Sequence, residues 1–403
     1  MLLWLTLRYN TPMEKQKIIN NRLSAANKEV ISMNNNIRVG SLFGIPFYVN
    51  PSWFLVLGLV TLSYGSQLVA SFPQLGVIIP WILGFITALL LFASVLAHEL
   101  GHSFVAQAQG IEVKSISLFL FGGLAMLDKE SKTPWQAFSV AIAGPLVSIV
   151  LYVLLTVTTT LLSLPAPLAA IISLLAALNL VLALFNLIPG LPLDGGNILK
   201  AIVWKITGNP NQGVLWASRF GQAFGGLAII TGISGVFFNI GPGSFWTLLI
   251  GWFLWQNAGM SAQSATVQDK LSSLRAEDAV LDNSPVVSAD LTLREFANDH
   301  VIGQDRWTQF LATDSEGQLL GTIAVEDLKT VLTSLWTETQ VLSLVKPWTD
   351  STTVKAEQSL LEVVKMLDKT GLNQLPVVRN NGTVVGILEK RSIVELLKEE
   401  KQG

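Results

Sequence analysis

The chain has 403 residues, of which 50% are hydrophobic and only 13% are charged. Soluble domains carry about a quarter charged residues, so this composition excludes an ordinary soluble protein and indicates membrane-embedded segments. The net charge of -2, without a basic patch, argues against a nucleic-acid partner. The absence of cysteine excludes disulfides and thiolate ligands, so any metal must be held by histidine and carboxylate groups.

The N-terminal segment, residues 1–37, is predicted to be a disordered extension or the product of a mis-assigned translation start. Its apolar opening is too short to cross a membrane and lacks the cleavage site of a signal peptide. Met33 precedes a stretch that looks like a more natural beginning.

Six apolar segments are predicted to cross a membrane, because about 20 apolar residues suffice for one crossing. They are residues 51–70, 77–106, 135–161, 165–187, 220–238 and 245–255. Lysine and arginine occur only in the N-terminal segment, in the second-to-third and fourth-to-fifth connections, and in the C-terminal region. These parts share one side of a six-span topology, and the positive-inside rule assigns that side to the cytoplasm.

The second segment carries ionisable side chains at a depth where each costs about 2.5–3.5 kcal/mol on insertion scales. His98 and His102 are four residues apart, so on a helix they share one face and can both ligate one metal ion. Glu99 lies beside that face, where it can take a proton from a water at the metal. This pattern is typical of zinc metalloproteases. Two of the three histidines fall here, which favours a metal site over an accidental match.

A β-prone stretch at 113–127 follows the second segment and is too short to span. It is predicted to form a hairpin around a Gly122-Gly123 turn. It is either a plain surface hairpin or, given its apolar character, a strand beside the site to which a peptide substrate could add.

A third metal ligand is expected, because a catalytic zinc usually has three protein ligands and one water. His300 lies far away in a polar segment, so an acid is expected. Asp194 follows the fourth segment, after Pro189 and Pro192 break its helix, and is expected on a flexible, glycine-flanked turn at the level of His102. The competing acids are Glu112, Asp128 and Glu130.

These motifs together resemble the site-2 protease family of intramembrane zinc metalloproteases. The resemblance rests on His98-Glu99-Leu100-Gly101-His102 and on the stretch from Asn186 to Gly195, with Gly122-Gly123 and Ala143-Gly144-Pro145 between them. It covers about residues 38–260. It implies that His98, His102 and Asp194 bind one zinc ion, that Glu99 is the general base, and that Asn186 contacts substrate. Ser148 stands where relatives often have asparagine, a departure expected to touch no ligand.

The resemblance also implies the activity. A peptide bond in or near the membrane segment of a single-span protein would be hydrolysed, in regulated intramembrane proteolysis. The substrate helix must unwind locally, since a helix hides its carbonyls in hydrogen bonds.

The C-terminal third changes to soluble composition after a linker predicted at 261–274. Two similar blocks follow at 275–338 and 339–403, each with a helix–strand–turn–strand–helix pattern, and Asn380-Asn381-Gly382 is a hairpin turn in the second. They resemble a pair of cystathionine-beta-synthase-type (CBS) domains. The predicted fold class is thus a multi-pass α-helical membrane protein, of about six transmembrane helices, with a C-terminal α/β CBS-domain pair.

CBS pairs often bind adenine nucleotides through a hydroxyl and an aspartate. The first block keeps Asp327 but has Ala324 at the hydroxyl position, and the second has Glu389 and no matching aspartate. This leaves nucleotide binding open, and a structural or dimerising module fits equally well. The pair is predicted to face the cytoplasm and to modulate access to the protease. The alternative function is a CBS-regulated transporter or scaffold holding a structural metal through four protein ligands.

Overall fold

The computed structural model describes residues 36–119, 122–303, 307–347 and 353–399, so the segment predicted as an extension lies almost wholly outside them. The chain divides into two compact units, one up to Ala265 and the other from Thr266 onward. Each unit has its own architecture.

Among the described residues, five helices of the first unit are long and apolar enough to cross a membrane. They are α1 (Ser52–Ser71), α2 (Ile78–Ala108), α3 (Pro134–Leu161), α4 (Ala166–Asn186) and α6 (Pro210–Phe238), with the shorter α5 (Asp194–Thr207) between the last two. Five predicted segments match them, and the fifth begins at Pro210 rather than at residue 220. The sequence reading did not identify α5, an amphipathic helix after the two prolines.

The sixth predicted segment is the first part of α7 (Phe245–Ser273), which is not among those five helices. Glycines let α6 and α7 approach backbone to backbone. A Cβ added to Gly225 would lie 2.7 Å from the backbone nitrogen of Trp255, and one added to Gly232 would lie 2.6 Å from that of Leu248. Residue numbers rise along α6 as they fall along α7, so the two helices are antiparallel neighbours.

The linker predicted at 261–274 is helical as far as Ser273, because α7 continues through it. The linker limits 261–274 stay a prediction, and the structure shows that this stretch is helical. The stretch contains alanine, glutamine, leucine and lysine, which favour helix, and no glycine or proline to end it.

A four-stranded sheet accompanies the helices of the first unit. Its strands are β1 (Ile37–Leu42), β2 (Ile45–Val49), β3 (Val113–Phe119) and β4 (Gly122–Leu127), in that spatial order. The predicted hairpin is β3–β4, in which Phe119 pairs with Gly122 and Leu118 with Gly123, so both glycines lie in β4 rather than in a turn. Because β4 is at the edge of the sheet, its outer backbone groups have no neighbouring strand among the described residues.

The second unit repeats one α/β pattern. The first copy has β5 (Val286–Ser288), α8 (Leu293–Phe296), β6 (Gln309–Thr313), β7 (Leu319–Ala324) and β8 (Lys346–Pro347). The second has β9 (Val354–Lys355), α9 (Leu360–Thr370), β10 (Gln374–Val378), β11 (Val384–Glu389) and α10 (Lys390–Glu399). The predicted Asn380-Asn381-Gly382 turn connects β10 and β11.

The hydrophobic core of each copy includes residues from outside the predicted limits of that copy. Leu271, Ala276 and Ala279 pack into the core of the second copy, and Val341 packs into the core of the first. The domain limits 275–338 and 339–403 stay predictions.

Candidate metal centre

Helix α2 brings the two predicted histidine ligands together at its second half. His98 and His102 are 3% and 9% exposed, and their Nε2 atoms are 3.3 Å apart. The four-residue spacing puts both rings on one face of the helix. Their Nε2 atoms therefore point into the same space.

Asp194 completes this group as the first residue of α5. Its Oδ2 atom lies 3.1 Å from His98 Nε2 and 3.3 Å from His102 Nε2. In the part of the chain that the structure describes, these three side chains are the one group of at least three histidine and acidic residues close enough to share a metal ion.

The expected flexible turn around Asp194 is wrong. Asp194 begins α5, and Gly195 and Gly196 let the start of this helix pack closely against the preceding chain. A Cβ on Gly195 would collide with the Ile188 carbonyl oxygen, and one on Gly196 would collide with the Leu191 backbone nitrogen. The carboxylate is therefore held by a tightly packed helix start rather than by a mobile loop.

The arrangement of the three ligand atoms fits a bound cation. His102 Nδ1 donates to the Val140 carbonyl oxygen at 2.7 Å, so a neutral ring presents the Nε2 lone pair towards the Asp194 carboxylate. Two acceptors then face each other unless the ring takes a second proton, and a metal ion satisfies both histidines and the carboxylate at once. Zinc bonds of about 2.0–2.1 Å at tetrahedral angles separate ligand atoms by about 3.3 Å, which matches the 3.1–3.3 Å edges of this triangle.

Gly144 leaves the space that such an ion needs. A Cβ at this position of α3 would lie 2.7 Å from His98 Nε2 and closer still to His102 Nε2. Any side chain at residue 144 would fill the space between the nitrogen atoms. The glycine of Ala143-Gly144-Pro145 thus forms one wall of the centre.

Ser148 contradicts the expectation that it touches no ligand. Its Oγ lies 2.9 Å from His98 Nδ1, and the residue is fully buried. It lies one helical turn after Gly144, so both residues face α2 from the same side of α3. This hydrogen bond orients the ring and turns Nε2 towards Asp194.

Glu99 lies on the wall of the same cavity as the three ligands. A Cβ on Gly123 would come within 2.8 Å of Glu99 Cδ, so only glycine lets β4 approach the carboxylate so closely. The backbone N–H of Ala125, two residues along β4, donates a hydrogen bond to Glu99. Glu99 thus connects the metal centre to the edge strand.

The cavity has a volume of about 520 Å³ and is bordered by α2, β4, α3 and α5. Asn186, the last residue of α4, also borders it and donates through Nδ2 to the Leu182 carbonyl oxygen at 3.0 Å. The structure therefore places the predicted substrate contact at the same cavity as the ligands.

The competing acids Glu112, Asp128 and Glu130 are not part of the ligand group. Asp128 pairs with Lys114 at 2.6 Å, and a hydrogen bond from this lysine lowers the pKa of Asp128. Glu130 borders the cavity. His300 lies in the second unit, where its ring packs near Phe296 and Phe310.

Comparison with known proteins identifies the family. A model of peptidase family M50 matches residues 86–167 and 163–228, and a CBS domain model matches residues 343–399. Over 91% of its length the chain is 63% identical to a putative zinc metalloprotease, sll0528, of Synechocystis sp., covering 96% of that protein. The chain belongs to peptidase family M50.

Other members of family M50 extend the comparison. The chain is 30% identical, over 91% of its length, to the putative zinc metalloprotease Rip3 of Mycobacterium tuberculosis, covering 93% of that protein. The solved structure of a site-2 protease from Methanocaldococcus jannaschii is 31% identical, covers 56% of this chain and 95% of its own, and has a TM-score of 0.40.

The predicted family, fold class and enzyme class are confirmed. This family M50 chain is a zinc metalloendopeptidase of the site-2 protease kind, with several membrane-spanning helices and a C-terminal CBS domain. The transporter alternative is set aside. The roles of individual side chains stay predictions.

Proposed function

We propose that this protein cleaves single-span membrane proteins in or near their membrane segments, at one zinc ion held by His98, His102 and Asp194. The observation that carries the proposal is the triangle of three ligand atoms with Glu99 on the wall of the same cavity. Three ligands and an adjacent base form the open arrangement of a catalytic zinc site, whereas structural sites have four closed ligands.

Each side chain has a defined task in hydrolysis. Zinc at this position supplies the Lewis acidity that lowers the pKa of water and polarises a carbonyl. Glu99 takes the proton from the attacking water and returns it to the leaving amine nitrogen. Asn186 hydrogen-bonds the substrate backbone from the end of α4.

The substrate would bind as an additional strand on β4. This strand is at the sheet edge, and Gly123, Leu124 and Ala125 border the cavity beside Glu99. Strand addition holds a peptide extended, so its carbonyls are exposed rather than engaged in helical hydrogen bonds.

The cytoplasmic placement of the metal centre and the CBS pair needs a sixth crossing, and α7 is its candidate. Glycines bring residues 248–255 of α7 against residues 225–232 of α6, which is long and apolar enough to cross a membrane. A helix antiparallel to α6 over this length crosses the same layer. The side on which the basic residues lie then follows the positive-inside rule.

The CBS pair is proposed to modulate the protease. In its first copy, Lys346 Nζ lies 2.7 Å from Asp327 Oδ1, and the Ala324 backbone N–H donates to Asp327 Oδ2 at 3.0 Å. The lysine hydrogen bond, followed by that of Ala324, lowers the pKa of Asp327. Both carboxylate oxygens are thus engaged, which favours a structural or dimerising module over an adenine-nucleotide site.

Metal removal tests the proposed function. Purified protein in proteoliposomes should cleave a single-span reporter, and 1,10-phenanthroline should abolish cleavage because the three ligands release zinc. Stoichiometric Zn²⁺, added after the chelator is removed, should restore cleavage. Cleavage that persists in apo-protein of verified zinc content would contradict the proposal.

Replacing Ser148 tests whether its hydrogen bond to His98 strengthens zinc binding. We expect Ser148→Ala to lower the zinc affinity about 10- to 100-fold, the usual cost of removing a ligand's hydrogen-bond partner. Competition with a chromophoric chelator measures it. The matched control is Ser218→Ala, since Ser218 is equally buried and its Oγ has no hydrogen-bond partner among the described residues. Equal affinities in both variants would exclude this role for Ser148.

A further inference from the structure

One face of α5 borders the cavity along its whole length. Asp194, Asn197, Lys200 and Trp204 all border it, at spacings of three or four residues that define a single helical stripe. The stripe starts at the metal centre and leads away from it. A substrate segment leaving the scissile bond on this side therefore passes an amide, an amine and an indole in turn.

A second lysine borders the same cavity as Lys200. Lys132 follows β4 and borders the same space. No acidic side chain in the described part of the chain forms an ion pair with Lys200 or Lys132, in contrast with Lys114, whose amine is paired with Asp128. The positive-inside rule explains lysines on this side of the membrane, but it does not require two amines at one substrate cavity.

Besides Glu99 and Asp194, Glu130 is the one acid among the described residues that borders the cavity, and it is exposed. The cavity therefore carries charges of both signs, and it does not favour acidic proteins in general. Lys200 is half-buried and lies on the helix that begins at the ligand Asp194, which favours a carboxylate at one position of the substrate.

The helix geometry sets that position. Lys200 is six residues beyond Asp194, which is about 9 Å along the axis at about 1.5 Å per residue. An extended peptide advances about 3.3 Å per residue. An acidic side chain about three residues from the scissile bond would therefore lie beside Lys200.

We propose that Lys200, assisted by Lys132, determines specificity by binding an aspartate or glutamate of the substrate about three residues from the scissile bond. This inference rests on the proposed function and adds a substrate class to it. The acid lies in the segment that runs along the α5 stripe. Trp204 packs against the substrate residues beyond it.

The test uses the full chain in proteoliposomes and a set of single-span reporters. Each reporter carries aspartate, asparagine or lysine at one of the six positions on either side of the scissile bond. We expect kcat/KM to favour aspartate over asparagine about three- to fivefold, the size of a partly exposed ion pair, at one position about three residues from the cut. Lys200→Gln should abolish this ratio, and Lys200→Glu should favour the lysine reporter instead.

The matched control is Lys114→Gln, which removes an amine that does not border the cavity, and it should keep the wild-type preference. Binding of fluorescent reporter segments to the Glu99→Gln variant provides a second readout that needs no cleavage. The same order of preference in binding supports the proposal.

A charge preference that is the same in wild type and Lys200→Glu overturns the proposal, as does no preference at any position in both readouts. Cleavage of the neutral reporters by the wild type shows that the protease activity itself is intact. Failure of the specificity proposal is therefore distinguishable from failure of the proposed function.

Discussion

Glu99→Gln is expected to abolish cleavage of a single-span reporter while the protein keeps its zinc. Glutamine has nearly the same shape as glutamate but cannot accept the proton of the attacking water, and a positioned acid–base group contributes about 10²–10⁴-fold to a rate. The ligand triangle does not include Glu99. Initial rates in proteoliposomes, together with zinc content by mass spectrometry of the metal, measure the two effects separately.

The control for this variant is Glu130→Gln, since Glu130 is an acid at the same cavity but is not part of the ligand triangle. It should cleave the neutral reporter within a small factor of the wild type. Retained cleavage in Glu99→Gln would remove the general base from the mechanism. Loss of zinc in the same variant would instead make Glu99 a ligand.

Gly144→Ala is expected to eliminate zinc binding by adding a single methyl group. The new Cβ would lie 2.7 Å from His98 Nε2 and closer to His102 Nε2, so it occupies the space in which both nitrogens meet the ion. Repacking is restricted, because overpacking a tight site costs about 1–3 kcal/mol. Zinc content and reporter cleavage should both fall to background.

Gly58→Ala is the matched control for this change. Gly58 lies within α1, and a Cβ there meets nothing within 4 Å. The variant should retain zinc and activity, and alanine should favour the helix slightly. Full zinc occupancy in a folded Gly144→Ala protein would mean that the ion is bound elsewhere.

The chemistry of the ligands was predictable because it follows from helical periodicity and membrane energetics. His98 and His102 four residues apart in an apolar segment define one face of a helix, and the cost of burying them indicates a functional reason. The residue pattern makes Asp194 one of four candidate acids, and the resemblance to a family selects it and adds Asn186. The structure places them at the same cavity as Glu99.

The hydrogen bonds and close contacts around these ligands were not predictable from the residue pattern. The Val140 carbonyl oxygen that orients His102 has no signature in the sequence, because any residue supplies it. The sequence predicts that Ser148 touches no ligand, although its position one turn after Gly144 indicates the face of α3 that meets α2. Gly123 was assigned to a turn, but it serves close approach of β4 to Glu99.

The helix boundaries could not be predicted from the sequence where tertiary packing decides them. The two prolines after α4 suggested an open loop, yet α5 begins directly at Asp194 because Gly195 and Gly196 let it pack against the preceding chain. The polar stretch predicted as a linker forms the last part of α7, and Leu271 near its end packs into the core of the second copy.

X-ray absorption at the zinc edge of the purified, active protein tests the central claim most directly. We expect one zinc per chain, with two imidazole nitrogens at about 2.0–2.1 Å, carboxylate and water oxygens at about 2.0–2.2 Å, and no sulfur. His102→Ala should remove one imidazole from the spectrum or the metal altogether. A shell with three imidazoles, or folded and active protein without zinc, would contradict the account.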